Sequence, residues 1–154
     1  MMDGIEKQIE LRAPVSRVWR ALTDHRAFGE WFGVQTDGPF VEGRASRGHM
    51  TYPGYEHVKW QAAVEKIEPE RLFSFTWAHP KSFDKSTYSG GYSSDPKTLA
   101  EFLLEKTKNG TRLRITESGF DKLPADLRLE AFRRNEGGWT EQVKNIENYV
   151  AKQA

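Results

Sequence analysis

The hydrophobic pattern of the last third of the chain predicts one long helix. Between Leu123 and Ala154, apolar residues recur at spacings of seven, four, three and four, which places them in a single stripe. The stripe consists of Phe132, Trp139, Val143, Ile146 and Val150. Gly137 and Gly138 lie inside this predicted helix, where each lowers stability by roughly 1 kcal/mol relative to alanine. They indicate a kink, or a close approach of the sheet or a ligand, and close packing is the simpler interpretation.

The segments before this helix predict an antiparallel sheet. Ile5 to Arg12 mostly alternates between apolar and polar residues, as a half-buried strand does, and residues 15–24 and 26–32 have helical spacing. From Val34 onward, glycines and prolines separate the predicted strands. The predicted strands cover residues 58–67, 72–79, 97–107 and 111–119, and residues 44–52 form a polar, glycine-containing strand with a weaker pattern. We therefore expect an α+β fold in which a curved sheet of about six to seven strands wraps around the last helix.

One connection is longer than a hairpin needs. Residues 80–96 are poor in aliphatic side chains and rich in Ser, Gly, Lys and Tyr. Tyr88 and Tyr92 flank Gly90 and Gly91, so the segment is the best candidate for a lid that closes by hinge motion. The alternative is a disordered loop, which is the commoner fate of such a composition.

Composition narrows the class of protein. The 154 residues suit a single domain, residues 1–154, and 23 Lys and Arg against 22 Asp and Glu give a net charge of +1. This charge provides no broad basic surface for nucleic acid. There is no cysteine, no basic apolar leader and no apolar run of roughly 18 residues. We expect a cytoplasmic protein without membrane insertion, and the sequence leaves open whether it forms a homodimer.

Aromatic residues provide the first indication of a binding site. Strand 72–79 places Phe73, Phe75, Trp77 and His79 on one face, which we expect to be the concave face. A concave sheet curled around a helix that contains glycines is difficult to fill with side chains alone. The aromatic candidates for lining a ligand pocket are Trp31, Trp60, Phe75, Trp77, Phe102, Phe132 and Trp139. The alternative is a packed core, which we expect for about half of them.

Among the polar residues, Glu117 is the strongest candidate for a functional role in the cavity. Alternation along its strand places it on the same face as Leu113 and Ile115. Burial would raise its pKa, so that it could act as a general acid or base or anchor a polar group of a ligand. The alternative is a structural role, in which Glu117 pairs with an arginine or caps the end of the hairpin. Asn135 or Glu136 on the last helix could meet Glu117 or the ligand.

The histidines give little support for a metal site or for nucleophilic catalysis. None of the four has a histidine partner at the helical spacing of a metal site. His79 follows the aromatic strand, and we expect a residue at the rim of the cavity, with proton transfer as the alternative. No Gly-x-Ser-x-Gly motif occurs. We therefore expect neither a metal nor a cofactor, and if there is acid–base chemistry, Glu117 and His79 are its candidates.

Several stretches carry a family resemblance over nearly the whole chain. Residues 13–24 (APVSRVWRALTD) and 30–33 (EWFG) look like the opening of the family, and residues 95–102 and 110–120 look like its last hairpin. Gly138-Trp139 matches its closing helix. The chain thus resembles the START-like (SRPBCC) superfamily and, within it, the bacterial single-domain homologues of the activator of the heat-shock-protein-90 ATPase.

The resemblance implies a helix-grip fold and a ligand cavity. Members of the superfamily bind lipids, hormones or polyketides between the sheet and the C-terminal helix, or carry out cyclase and hydrolase chemistry there. The first expectation is therefore binding of a small hydrophobic or aromatic molecule. A cofactor-free cyclase or hydrolase is the second, and a co-chaperone-like interaction module is the third. The eukaryotic namesake works with a second domain, for which we expect no room in this chain.

Overall fold

The computed structural model of the protein describes residues 4–79 and 96–152. The segment proposed as a lid, residues 80–96, lies outside the described residues except for Pro96. The elements are β1 (Gly4–Leu11), α1 (Val15–Thr23), α2 (His25–Phe32), β2 (Val34–Thr36), β3 (Ala45–Met50), β4 (Lys59–Glu68), β5 (Leu72–Ala78), β6 (Lys97–Thr107), β7 (Gly110–Ser118), a 3-10 turn (Phe120–Lys122) and α3 (Ala125–Lys152).

The strands form one antiparallel sheet, as the sequence predicts. Its seven strands follow the order β1-β7-β6-β5-β4-β3-β2. Neighbours β2 to β7 are consecutive in the chain and form a meander, and β1 closes the far side by pairing with β7. At the β6–β7 turn, Thr107 pairs with Gly110, so the connection is the short hairpin expected from Asn109-Gly110. The sheet is curved around α3, which confirms the predicted helix-grip architecture.

Helix α3 covers the concave side of the sheet. It runs uninterrupted for 28 residues through both internal glycines and buries Leu127, Ala131, Trp139, Ile146 and Val150. Phe132 and Val143, which belong to the predicted stripe, are only partly buried. The helix is long but rich in charged residues. Among the helices in residues 4–79 and 96–152, none is both long and apolar enough to cross a membrane.

Aromatic side chains fill the space between α2 and the middle of the sheet. Phe28, Phe73, Phe75 and Phe102 are fully buried and lie within contact distance of one another. Helix α2 is fixed at its start by Asp24, whose side chain accepts the backbone N–H groups of residues 26 and 27. This cap sets the direction of α2 and therefore the position of its last residue, Phe32.

Gly48 should be indispensable for the pairing of β2 with β3. A Cβ at this position would lie 1.9 Å from the carbonyl oxygen of Gln35, which is backbone and does not yield. We expect Gly48→Ala to lower the free energy of unfolding by about 1 to 3 kcal/mol in urea denaturation. Gly38→Ala is the control, because its Cβ would meet nothing within 4 Å. Equal stability of the two variants would contradict this account.

Candidate functional site

A cavity of about 720 Å³ lies between α3 and the sheet. Its wall is built by the end of α2, the strands β4 and β5, the connection from β3 to β4, and the middle of α3. The lining residues in the described part of the chain are Phe32, Met50, Tyr52, Pro53, Tyr55, Val58, Lys59, Trp60, Gln61, Trp77, Ala78, Arg134, Asn135, Gly138, Trp139 and Gln142.

Four neighbouring aromatic rings form the apolar wall of this cavity. Trp77 lies between Trp60 and Trp139, with ring centroids 6.0 and 5.7 Å away, respectively. Phe32 completes the group at 5.5 Å from Trp60 and 6.1 Å from Trp139. The rings come from α2, β4, β5 and α3, so the cavity wall depends on how these four elements pack together.

Each tryptophan of the wall donates its indole N–H to a partner inside the protein. Trp60 donates to the hydroxyl of Ser46 at 3.0 Å. Trp77 and Trp139 donate to the two oxygens of one carboxylate, that of Glu117, at 2.7 and 2.8 Å. Because these polar groups are already paired, the rings offer mainly carbon surface to the cavity.

Glu117 is the centre of a buried hydrogen-bond network. Its side chain is inaccessible to solvent, as are its inward-facing neighbours on β7, Leu113 and Ile115. Besides the two indoles, the carboxylate accepts a hydrogen bond from the Thr98 hydroxyl at 2.5 Å. The Asn135 amide lies 3.0 Å from both carboxylate oxygens, so Asn135 is the helix residue that meets Glu117. Three strands, β5, β6 and β7, and helix α3 are thereby linked through this one side chain.

The prediction that Glu117 has a raised pKa is wrong. Burial does raise it, but hydrogen bonds from His79, Thr98, Trp77 and Trp139 together outweigh burial and leave the pKa below its ordinary value. The carboxylate is therefore ionised at neutral pH and has no proton to donate. The predicted alternative of an arginine partner is also wrong, because the donors found around Glu117 are indole, hydroxyl, amide and imidazole groups.

His79 directly follows β5 and is only 2% exposed, so it lies inside the fold and not at the rim. Its Nδ1 is 3.4 Å from Nη2 of Arg134, and its Nε2 is 2.7 Å from the Thr98 hydroxyl. A guanidinium cannot accept a hydrogen bond, so Nδ1 is the acceptor and Nε2 carries the proton. The Nε2 proton then faces both the Thr98 hydroxyl and, at 3.5 Å, a carboxylate oxygen of Glu117, while the Thr98 hydroxyl itself donates to Glu117.

The other sequence candidates lie outside the cavity wall. Phe75 and Phe102 are fully buried in the core, where they pack against each other at 5.9 Å. Trp31 donates its N–H to the carbonyl oxygen of Ala21 and borders a separate, more polar pocket of about 460 Å³. Phe132 packs against Phe120. None of these four side chains is among the described residues that line the cavity.

The mouth of the cavity is formed by two tyrosines that were not predicted as site residues from the sequence. Tyr52 and Tyr55, 40% and 38% exposed, come from the connection between β3 and β4. The Tyr52 hydroxyl donates to the carbonyl oxygen of Phe32 at 2.8 Å, and Gln142 of α3 donates to the same oxygen at 2.9 Å. The available signal was the pair of tyrosines around Pro53-Gly54, which the polar strand prediction for residues 44–52 obscured.

A metal centre finds no support in the described ranges. Within residues 4–79 and 96–152, no group of three or more His, Asp or Glu side chains is arranged to hold an ion. Among the described residues that line the cavity, Lys59 and Arg134 are cationic, Gln61, Asn135 and Gln142 carry amides, and Tyr52 and Tyr55 carry hydroxyls.

Glu117→Gln should destabilise the fold. The amide nitrogen of glutamine is a donor, so it would face other donors and lose the charge that strengthens the present hydrogen bonds. We expect the free energy of unfolding in urea to fall by roughly 3 kcal/mol. Glu101→Gln is the matched control on β6, because Glu101 is partly exposed and has a single 3.4 Å contact with Thr116. Equal effects of the two substitutions would contradict a central role of Glu117.

The stability that Glu117 provides should vary with pH in a defined direction. Its folded pKa lies below the reference value of 4.5, so its contribution is fully present above that pH. The contribution declines as the pH falls below 4.5 and is lost below the folded pKa. We expect the stability difference between wild type and Glu117→Gln to shrink on acidification in urea denaturation. A difference that stays constant or grows would show that the pKa is not lowered.

Comparison with protein families gives one match that covers most of the chain. Residues 12–151 match the model of the family described as activator of Hsp90 ATPase homolog 1-like protein. A search of curated proteins found no match.

Comparison with solved structures identifies the same fold in bacterial proteins. Protein MLL2253 from Mesorhizobium loti is 22% identical with a TM-score of 0.75, and the alignment covers 98% of each chain. A protein from Arthrobacter aurescens is 20% identical with a TM-score of 0.76, over 97% of this chain and 86% of the other. DynU16, from the dynemicin biosynthetic locus, is 21% identical with a TM-score of 0.73, over 97% of this chain and 47% of the other. At these identities the likeness concerns the fold.

Proposed function

The chain belongs to the family of activator of Hsp90 ATPase homolog 1-like proteins, and we propose that it binds a small hydrophobic or aromatic molecule between the sheet and α3. The observation that carries the proposal is the cavity walled by Phe32, Trp60, Trp77 and Trp139. Its volume of about 720 Å³ falls in the range of small-molecule sites. Mostly apolar walls with a few polar groups are also typical of such sites.

The shape of the wall favours a flat ligand. Aromatic side chains attract other rings in stacked or edge-to-face arrangements, beyond the gain from burying apolar area. Trp60 and Trp77 already pack edge-to-face at a centroid distance of 6.0 Å, and Trp77 and Trp139 pack at 5.7 Å with their planes tilted by 32°. A flat aromatic guest would extend this packing into the open space.

The Glu117 network supports binding because it holds the wall in place before a ligand arrives. Trp77 on β5 and Trp139 on α3 are fixed by the same carboxylate, so neither indole is free to rotate into the cavity. Little side-chain entropy is then lost when a ligand binds. In this proposal Glu117 is a positioning residue and does not touch the ligand.

Gly138 supports the proposal from the helix side. It lines the cavity, and a Cβ built on it would meet nothing within 4 Å. A helix-interior glycine that is not required for close packing still lowers stability by roughly 1 kcal/mol relative to alanine. The missing side chain leaves volume for a guest, which gives this glycine a role. The interpretation of close helix packing is thus not supported at this position.

The alternatives stay predictions. Neither Glu117 nor His79 is among the described residues that line the cavity, so the geometry favours binding over acid–base catalysis by these two groups. A cyclase or hydrolase activity, a co-chaperone-like role, a homodimer and a cytoplasmic location have no specific observation in their favour.

The proposal predicts saturable binding of the neutral apolar dye Nile red. We expect its fluorescence to increase on titration with the folded protein and to reach a plateau. Gly138→Leu should weaken binding at least about tenfold, since its side chain would occupy part of the cavity and displace ligand carbon. Gly137→Leu is the matched control, because Gly137 is the preceding helix residue and does not line the cavity.

The two leucine variants separate a cavity effect from a helix effect. Both replace glycine in an exposed stretch of α3, so both should leave the fold intact and preserve the melting temperature or raise it. Equal dye affinity of the two variants would show that the dye binds outside this cavity. Absence of any saturable signal with the wild-type protein would remove the proposal.

A further inference from the structure

We propose that the ligand carries an uncharged hydroxylated chain on its apolar ring system, and that this chain binds in the second, polar pocket on the other side of Tyr52. This inference rests on the proposed binding function, and it adds a second binding site and the class of molecule that would fill both sites. It is carried by the position of Tyr52, by the difference between the two linings and by two polar side chains without protein partners.

The two spaces lie on either side of one tyrosine. The cavity of about 720 Å³ and the pocket of about 460 Å³ are both lined by Tyr52. Phe32 lines the cavity, and its chain neighbour Gly33 lines the pocket. On α3, Gln142 lines the cavity and Asn145, one turn further along, lines the pocket and donates to Gln142 at 3.0 Å. A molecule longer than the cavity therefore reaches the pocket as soon as it passes Tyr52.

The partition between the two spaces is held in place. The Tyr52 hydroxyl and the Gln142 amide both donate to the carbonyl oxygen of Phe32. The Tyr52 ring also lies directly on Gly33, where a Cβ would be 2.4 Å from a ring carbon. Gly33 has a φ of +93°, which glycine adopts most readily. Tyr52 is nevertheless exposed, so a ligand chain can pass over its outer edge without opening the partition.

The second pocket differs chemically from the tryptophan-lined cavity. Its polar lining residues include one acid, one base, a hydroxyl and two amides, namely Glu30, Lys152, Thr51, Asn145 and Asn148. These groups comprise both donors and acceptors of hydrogen bonds. A ligand hydroxyl both donates and accepts, whereas a carboxylate only accepts and an ammonium group only donates. The mixed lining therefore favours an uncharged hydroxylated chain.

Two of these side chains are free to bind such a chain. Thr51 is held by its backbone N–H, which donates to the carbonyl oxygen of Gly33 at 2.9 Å. Asn148 lies on α3, one turn beyond Asn145. Within residues 4–79 and 96–152, neither the Thr51 hydroxyl nor the Asn148 amide forms a hydrogen bond to another residue. Each can therefore bind a ligand hydroxyl without breaking a bond that the fold uses.

The test compares the glycerol ether of 2-naphthol with its di-O-methyl derivative, in which methyl groups replace the two hydroxyl protons. We expect isothermal titration calorimetry to show at least about fivefold tighter binding of the glycerol ether, the usual gain from two hydrogen bonds made in competition with water. Thr51→Val combined with Asn148→Leu removes the polar atoms and keeps the side-chain size. This double variant should reduce the preference to about twofold or less, because the methylated compound loses nothing there.

A second double variant, Thr140→Val with Glu147→Leu, is the matched control. Thr140 and Glu147 are exposed on α3, as Asn148 is, and are not among the described residues that line either space. The control should keep the preference for the glycerol ether. Both double variants change exposed positions, so we expect both to fold, and their melting temperatures check this.

Each outcome separates this inference from the proposed function. Equal or tighter binding of the methylated compound to the wild type overturns the inference and leaves the binding function standing. If neither naphthalene binds while Nile red does, the inference also fails alone. A preference that survives in Thr51→Val with Asn148→Leu, or one that is lost equally in the control, overturns the assignment to the second pocket. Loss of the preference in the first double variant alone supports it.

Discussion

The structure depends on one buried carboxylate that is shared by two indole N–H groups. Glu117 lies on β7, Trp77 on β5 and Trp139 on α3, so the contact joins the centre of the sheet to the helix that covers it. Thr98 on β6 supplies a further donor. A buried charge is costly to the fold unless it is paired and fully hydrogen-bonded, and here the donors outweigh the cost. The position of α3 over the sheet and the shape of the cavity therefore follow from the same interaction.

Much of the fold could be predicted from the sequence because its signals are local. The seven-four-three-four spacing in α3, the alternation in β7 and the Asn109-Gly110 turn each depend on residues close together in the chain. Alternation also placed Glu117 on the inward face. The pKa of Glu117 could not be predicted in this way, since its donors are 18 to 40 residues away in the sequence. Their convergence is a property of the folded sheet.

The candidate site was only partly predictable because core and cavity rings have the same hydrophobicity. Phe75 and Trp77 are two residues apart on one face of β5, yet the first is core and the second is wall. The difference comes from the distance between the sheet and α3, which sequence periodicity does not record. The mouth formed by Tyr52 and Tyr55 lies in an irregular connection without a periodic signal.

The chemistry of the rings explains part of this division. A phenylalanine has no polar atom, so Phe73, Phe75 and Phe102 can be buried completely. A tryptophan must also satisfy its N–H, and it does so where a polar partner lies behind the ring. Ser46 accepts the N–H of Trp60, and Glu117 accepts those of both Trp77 and Trp139. Placing the polar partners behind the rings leaves carbon toward the open space, and that is why a fold centred on an ionised carboxylate can still present an apolar cavity.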